Sequence, residues 1–178
     1  IFLGEEAAPL PEDAYQGADI TQHAKNYADL HGDALMSVSE EERQQALVDY
    51  ALPLNIEGLK RDLARYRIYY DVWFKESTLH ESGAVQQAID LLTQRGYTYE
   101  QDGTLFYKAT AMGQDKDDVL VRSNGIPTYF AADIAYHYNK FAVRGFDKVI
   151  NIWGADHHGH VARLQGAMDA IGLDGRKL

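Results

Sequence analysis

An apolar run that stops abruptly on a cluster of titratable side chains is the feature that most constrains this sequence. Within KVINIWGADHHGH, from Lys148 to His160, the residues Val149, Ile150, Ile152 and Trp153 are β-branched or aromatic. A short run of that composition predicts a strand buried on both faces. Gly154 breaks the run, three histidines and an aspartate follow within six residues, and Val161, Leu164, Met168 and Ile171 then recur at helical steps. In an open α/β sheet, ligands bind where a strand's carboxyl end leaves for a helix. The polar loop at that junction therefore predicts a site.

The rest of the chain supplies neighbours of two kinds. From residue 67 onward, the aromatic run Tyr69–Phe74 predicts a strand, and Val85, Ala88, Ile89 and Leu92 mark a helix closed by Gly96. Asp102 and Gly103 predict a hairpin turn, Val119–Arg122 a short strand, and Asn124 with Gly125 a further turn. After the apolar segment Ile126–Phe130, a helix is expected over Ala131–Phe141, ending near Gly145. The alternation predicts an α/β fold with a partial doubly wound, mostly parallel sheet covered by helices.

Residues 1–66 are of the other kind, mainly helical. The segment 1–18, with Pro9, Pro11 and several acids, is expected to be extended and exposed. Asp19 is expected to cap a first helix that Gly32 stops. Ser39 and Glu42 form a capping box that opens a second helix, and Pro53 is expected to kink or divide it. Lys60, Arg61, Arg65 and Arg67 read as a solvated face.

Charge and composition narrow the function. A net charge of −10 disfavours a surface that holds nucleic acid by itself, since phosphate binding needs clustered Lys and Arg. The absence of cysteine excludes thiolate metal sites, cysteine nucleophiles and disulfides, and a cytoplasmic setting is expected. No apolar run approaches the roughly 20 residues of a membrane span, and no signal-peptide pattern opens the chain.

Two constellations carry chemistry. Gly154 lets a ligand approach the backbone, Asp156 can accept from the vicinal hydroxyls of a ribose, and His157, His158 and His160 can donate to substrate or phosphate. Asp156 as a plain helix cap is an open alternative. So is an Asp/His metal site, although adjacent histidines converge poorly on one ion. Tyr129 and Asp133 are expected at the same sheet edge, where a carboxylate suits a planar guanidinium through two parallel hydrogen bonds. Dipole compensation and core packing are the ordinary alternatives there, and His137 is expected to be packed or exposed. Glu76 and Ser77, at the end of the Tyr69–Phe74 run, form a weaker third group.

TYFAADIAYHYNKF at Thr128–Phe141 and RGFDKVINIWGADHHGH at Arg144–His160 resemble the second half of the class I catalytic domain of arginyl-tRNA synthetases. YDVWFKES at Tyr70–Ser77 and GYTYEQDGTLFYKAT after it resemble the same family's preceding elements. The resemblance implies that residues 67–178 are the second half of a Rossmann-like nucleotide-binding catalytic domain and that residues 1–66 are a helical intervening segment of it. It implies an arginine–tRNA ligase, in which L-arginine and ATP, with Mg2+, give arginyl-adenylate before transfer to tRNA(Arg). Tyr129, Asp133 and His157 then match arginine-binding positions, and Gly154, Asp156 and His157 match ATP-binding ones; no catalytic residue and no metal ligand is assigned.

The family's His-Ile-Gly-His and Lys-Met-Ser-Lys type signatures are absent from these residues, as is its anticodon-binding domain. The chain is therefore expected to be a catalytic-domain fragment, inactive alone, with no tightly bound cofactor. It is expected to meet tRNA only through regions it lacks and to self-associate at an exposed sheet edge. The alternatives are a metal-dependent hydrolase built on the Asp/His cluster and a non-catalytic arginine- or nucleotide-binding module.

Overall fold

The computed structural model describes residues 17–178, which fall into two compact units, one ending at Val72 and the other running from Trp73 to Leu178. The extended entry expected for residues 1–18 lies, apart from its last two residues, outside the described residues.

The first unit is a helical hairpin. Helix α1, Ala18–His31, starts after Gly17 rather than Asp19, which sits in the first turn where its charge complements the helix dipole. Gly32 turns the chain at a φ of 60° while its N–H donates to the Ala28 carbonyl. Helix α2, Glu40–Arg65, opens on the expected capping box: the Glu42 N–H donates to Ser39 Oγ at 3.2 Å and the Ser39 N–H to Glu42 Oε2 at 3.0 Å. Pro53 forfeits one backbone hydrogen bond, yet the turns on either side carry α2 across it as one undivided helix. The Tyr27 and Tyr50 rings join the two helices edge to face at 5.2 Å, and His23 Nε2 pairs with Asn55 Oδ1 at 2.8 Å.

The second unit is built on helices. Short α3, Ser77–Glu81, leads into α4, Ala84–Gln94, whose Val85, Ala88, Ile89 and Leu92 are all buried. Strands β1, Thr98–Gln101, and β2, Thr104–Tyr107, form the expected hairpin, with Asp102 and Gly103 at φ of 51° and 72°. Positive φ at both central positions is the demand that an Asp-Gly pair meets. Strand β3, Asp118–Val121, pairs antiparallel with β2 across a bulge at Leu105/Phe106. Helices α5, Tyr129–Tyr138, and α6, His158–Ala170, complete the unit, and α5 packs against both α4 and α6. Leu92, Tyr107, Leu120, Ile134, Leu164 and Met168 meet in its fully buried core.

The α/β class is as expected, but the parallel doubly wound sheet is not formed: the sheet of the described residues has three antiparallel strands in the order β1-β2-β3. Two segments account for the difference. Tyr69–Phe74 forms no strand, and Phe74 instead stacks on Tyr136 with ring centres 4.5 Å apart. Lys148–Trp153 likewise pairs with no strand; Val149 is 6 % exposed and its N–H donates to the Lys177 carbonyl at 2.9 Å, but Ile152 is 92 % exposed. β-branched composition records a preference for a packed, pleated surface, and a strand forms only where neighbours supply its ladder.

The expected strand and the observed extended segment make different demands on Ile152. Ile152→Ala should change stability by no more than about 0.5 kcal/mol, as at other surface positions. Leu164→Ala, by contrast, should lower it by roughly 2–5 kcal/mol through the cavity it opens. Urea unfolding of the two variants measures both, and a comparable loss at Ile152 would mean that this side chain is packed in solution.

Candidate functional site

The site begins with the way β3 hands the chain to α5. Thr128 donates its N–H to the Leu120 carbonyl at 2.8 Å and its hydroxyl to the Val119 carbonyl at 2.7 Å, while Oγ1 caps the helix by accepting from the Ala131 N–H. These bonds fix the first turn of α5 against the sheet. Tyr129 is the first residue of α5 and lies largely exposed; Asp133 follows one turn later on the same face.

The opposite wall is the junction expected to be functional. The extended Lys148–Trp153 segment ends at Gly154, a 3-10 turn covers Ala155–His157, and α6 begins at His158. Tyr129, Asp133, Asp156, His157 and His160 line one cleft of about 730 Å³ together with Phe130, Arg163 and Lys116. Four of the five expected ligand-binding residues are thus brought together. The fifth, Gly154, does not line the cleft but shapes it from behind: a Cβ there would lie 2.5 Å from Asp156 Oδ1, so the carboxylate is folded over the bare glycine. Asp156 Oδ1 also pairs with His157 Nδ1 at 3.1 Å.

His158 is exposed and stays outside the cleft. Glu76 faces a separate, smaller hollow with His80 and Arg122, and Ser77 opens α3. The metal reading of the Asp/His cluster finds no support, because among the described residues no group of three or more histidines or carboxylates is placed to hold an ion.

His160 proves central. Its Nε2 meets Asp133 Oδ2 at 2.8 Å, and the Arg163 guanidinium reaches its Nδ1 at 3.0 Å while holding Asp118 Oδ1 at 2.5 Å. The His160 side chain is 13 % exposed, against 39 % for the Asp133 carboxylate it contacts. Asp118 and Arg163 are absent from the sequence-based candidates. A helical His-x-x-Arg pair is visible in the sequence, but its acidic partner 45 residues earlier is not.

His137 is packed, one of the two outcomes expected for it. Its Nδ1 pairs with the Asp133 carbonyl at 2.7 Å and its Nε2 with the Asn151 amide at 2.7 Å, tying α5 to the extended segment. Burial, with the nearby Lys140 ammonium opposing a second positive charge, pushes the His137 pKa below the ordinary 6.5, although its hydrogen bonds to Asp133 and Asn151 act the other way. Lys140, itself pushed down by burial, donates to Asn151 Oδ1 at 3.2 Å.

The chain is similar along its length to curated arginine–tRNA ligases. It is 57 % identical to that of Caldanaerobacter subterraneus subsp. tengcongensis over 171 residues, covering 96 % of this chain and 30 % of the relative. It is 55 % identical to that of Ruminiclostridium cellulolyticum over 178 residues, all of this chain and 32 % of the relative. The chain thus spans about a third of the length of the curated relatives it matches. A solved structure assigned as an arginyl-tRNA synthetase of Campylobacter jejuni superposes with a TM-score of 0.85 at 35 % identity, over 97 % of this chain and 37 % of that one. Arginyl-tRNA synthetase of Thermus thermophilus, at 21 % identity, shares the fold with a TM-score of 0.52. No family model matches the chain.

Gly154→Ala fits the local φ of −67° and should leave stability within about 0.5 kcal/mol of wild type. The new methyl displaces the Asp156 carboxylate, so amide chemical shifts should move at residues 154–158 and not in α4; unchanged shifts at Asp156 and His157 would count against the folded-back carboxylate. A second outcome concerns pH. The His137 pKa is lower in the folded chain than its unfolded value near 6.5, so the unfolded state binds more protons there as pH falls through that value. The stability that His137 contributes is present above about pH 6.5 and is lost below it, down to the folded-state pKa. Thermal unfolding from pH 8 to pH 5 should show that loss, and His137→Gln should reduce it.

Proposed function

The chain belongs to the arginyl-tRNA synthetase family, of whose members it spans about a third, and on that premise we propose that it carries the arginine pocket and the ribose-facing loop of an arginine–tRNA ligase. In the whole ligase, L-arginine and ATP, the latter with Mg2+, react to arginyl-adenylate and pyrophosphate, and the arginyl group passes to tRNA(Arg). The observation that supports this reading is the convergence of Asp133 and Tyr129 from α5 with Asp156 and His157 from the loop before α6 on one cleft.

The roles follow from the chemistry of each group. His160 occupies one lone pair of the Asp133 carboxylate, which leaves Oδ1 and the remaining lone pair of Oδ2 for the two parallel N–H groups of a guanidinium. Tyr129, on the same face, borders the stem of that ligand and offers a hydroxyl. Asp156, across the cleft and largely solvated, has two oxygens to accept from the vicinal hydroxyls of the ATP ribose. His157, paired with Asp156, stands between the two ligands, and Gly154 keeps the loop close.

Formation of the adenylate places negative charge on phosphate oxygens and requires cationic donors there. The 178 residues hold neither class I signature, so that step belongs to the whole ligase and not to this stretch. Residues 1–66, helical over much of their described part, take the place of an intervening segment of the catalytic domain, and residues 67–178 that of its second half. With a net charge of −10, contact with tRNA(Arg) falls to other parts of the ligase.

The test is a titration of the 178-residue chain with L-arginine and, in parallel, citrulline, which keeps the shape and lacks the charge, followed by two-dimensional NMR. Saturable shifts at Tyr129 and Asp133 are expected with arginine and not with citrulline. Asp133→Asn should weaken arginine binding ten-fold or more, a decade being about 1.4 kcal/mol. Equal responses to the two ligands, or a full response in Asp133→Asn, would remove Asp133 from the guanidinium site.

A further inference from the structure

The cleft contains an arginine of its own, and its position needs explaining. Arg163 lines the same cleft as a carboxylate suited to guanidinium, yet the His160 ring stands between it and Asp133. It is drawn instead to Asp118, at the start of β3, and its other amino group is turned to His160 Nδ1. We infer that Arg163, anchored by Asp118, is a positioning residue that keeps Nδ1 of His160 unprotonated, so that the neutral ring donates from Nε2 and presents Asp133 as an aligned, uncompensated anion to the substrate guanidinium.

The tautomer follows from donor logic. A guanidinium has donors and no acceptor, so a nitrogen facing it must be unprotonated. With Nδ1 committed as an acceptor, the ring proton of a neutral imidazole is on Nε2, where it donates to Asp133 Oδ2. A neutral donor fixes the direction of the carboxylate and leaves its charge intact, whereas an imidazolium would neutralise it. The ring is also confined sterically, with the edge of Phe130 at 5.5 Å and Trp153 at 5.2 Å.

The Arg163–Asp118 pair is an unusual structural brace. It is partly buried, yet among the described residues Asp118 Oδ2 and Arg163 Nε find no hydrogen-bond partner. Buried ion pairs with unmet hydrogen bonds contribute little net stability. Discrimination of arginine from its uncharged analogue would then depend on Asp118 and Arg163 as well as on Asp133, an extension that rests on the arginine-pocket reading.

The test reads the tautomer directly and does not depend on a ligand. In the chain labelled with 15N-histidine, long-range 1H–15N correlations at neutral pH should show His160 as a single neutral Nε2–H tautomer. In Arg163→Met, and in the doubly neutral Asp118→Asn/Arg163→Gln variant, which avoids a lone buried charge, Nδ1 loses its guanidinium donor while Asp133 still holds the Nε2 proton, so the Nδ1 signal should move towards the protonated form while the remaining amide spectrum stays folded. An Nδ1–H form or an imidazolium in the wild type overturns the inference, as does an Nδ1 signal in the folded variants that is unchanged from the wild type. Arginine titration of the same samples separates the two readings. If the wild type ignores arginine while the tautomer behaves as stated, the pocket assignment fails and the positioning of His160 stands. If the wild type binds arginine and the variants bind it equally well, the positioning role fails and the pocket stands; a five-fold or greater weakening, with citrulline still unbound, is expected.

Discussion

The geometry of the cleft depends on one guanidinium serving two partners. Arg163 joins the first residue of β3 to the second turn of α6, and through His160 it reaches the carboxylate on α5. Three elements are thereby held to a common register by directional bonds. Apolar packing of α5 on α6 sets their separation but tolerates small sliding, whereas the fork of an arginine tolerates little. Without this link the two walls would still pack, and the carboxylate would be free to turn.

The apolar core places those polar atoms in reach. Ile134 and Leu164 are fully buried, one residue after Asp133 and one residue after Arg163 respectively. A helix that buries position 134 must carry position 133 about 100° round its axis, at the margin between core and solvent. The same holds for Arg163 beside Leu164. Polar residues adjacent to buried ones are thus brought to the rim of the interface, where they meet each other and also meet water. Thr128 completes the arrangement by fixing where α5 begins.

Local signals in the sequence proved legible where the physics is local. The Ser39–Glu42 box, the Asp102-Gly103 turn and the buried face of α4 each depend on residues within a few positions of one another. Tyr69–Phe74 and Val149–Trp153 were misleading because strand composition speaks of an environment, and the environment must come from residues far away in sequence. That Tyr129, Asp133, Asp156 and His157 share one cleft could be expected because each sits near a helix start beside a glycine or a strand-like run. Asp118 was not, since nothing in Asp117-Asp118 shows which carboxylate turns inward: Asp117 accepts from Thr110, and Asp118 alone meets Arg163.

Asp133 is held from two sides by histidines in opposite tautomers. His137 faces the Asp133 carbonyl through Nδ1, and because a carbonyl only accepts, the proton lies there, leaving Nε2 to accept from the Asn151 amide. Asn151 cannot reverse that amide without cost, as its oxygen accepts from Lys140. His160 has the inverse arrangement, with Nδ1 accepting from Arg163 and Nε2–H donating to the carboxylate. Asn151 from the segment before α6 supports the one arrangement and Arg163, one turn along α6 from His160, the other, and each imidazole passes that constraint on to residue 133. The backbone clamp includes a lysine and is buried, so a second proton on His137 is disfavoured. The side-chain clamp opens on the cleft. One residue is thus fixed in position through its backbone and in direction through its side chain, while part of its carboxylate remains open to a ligand.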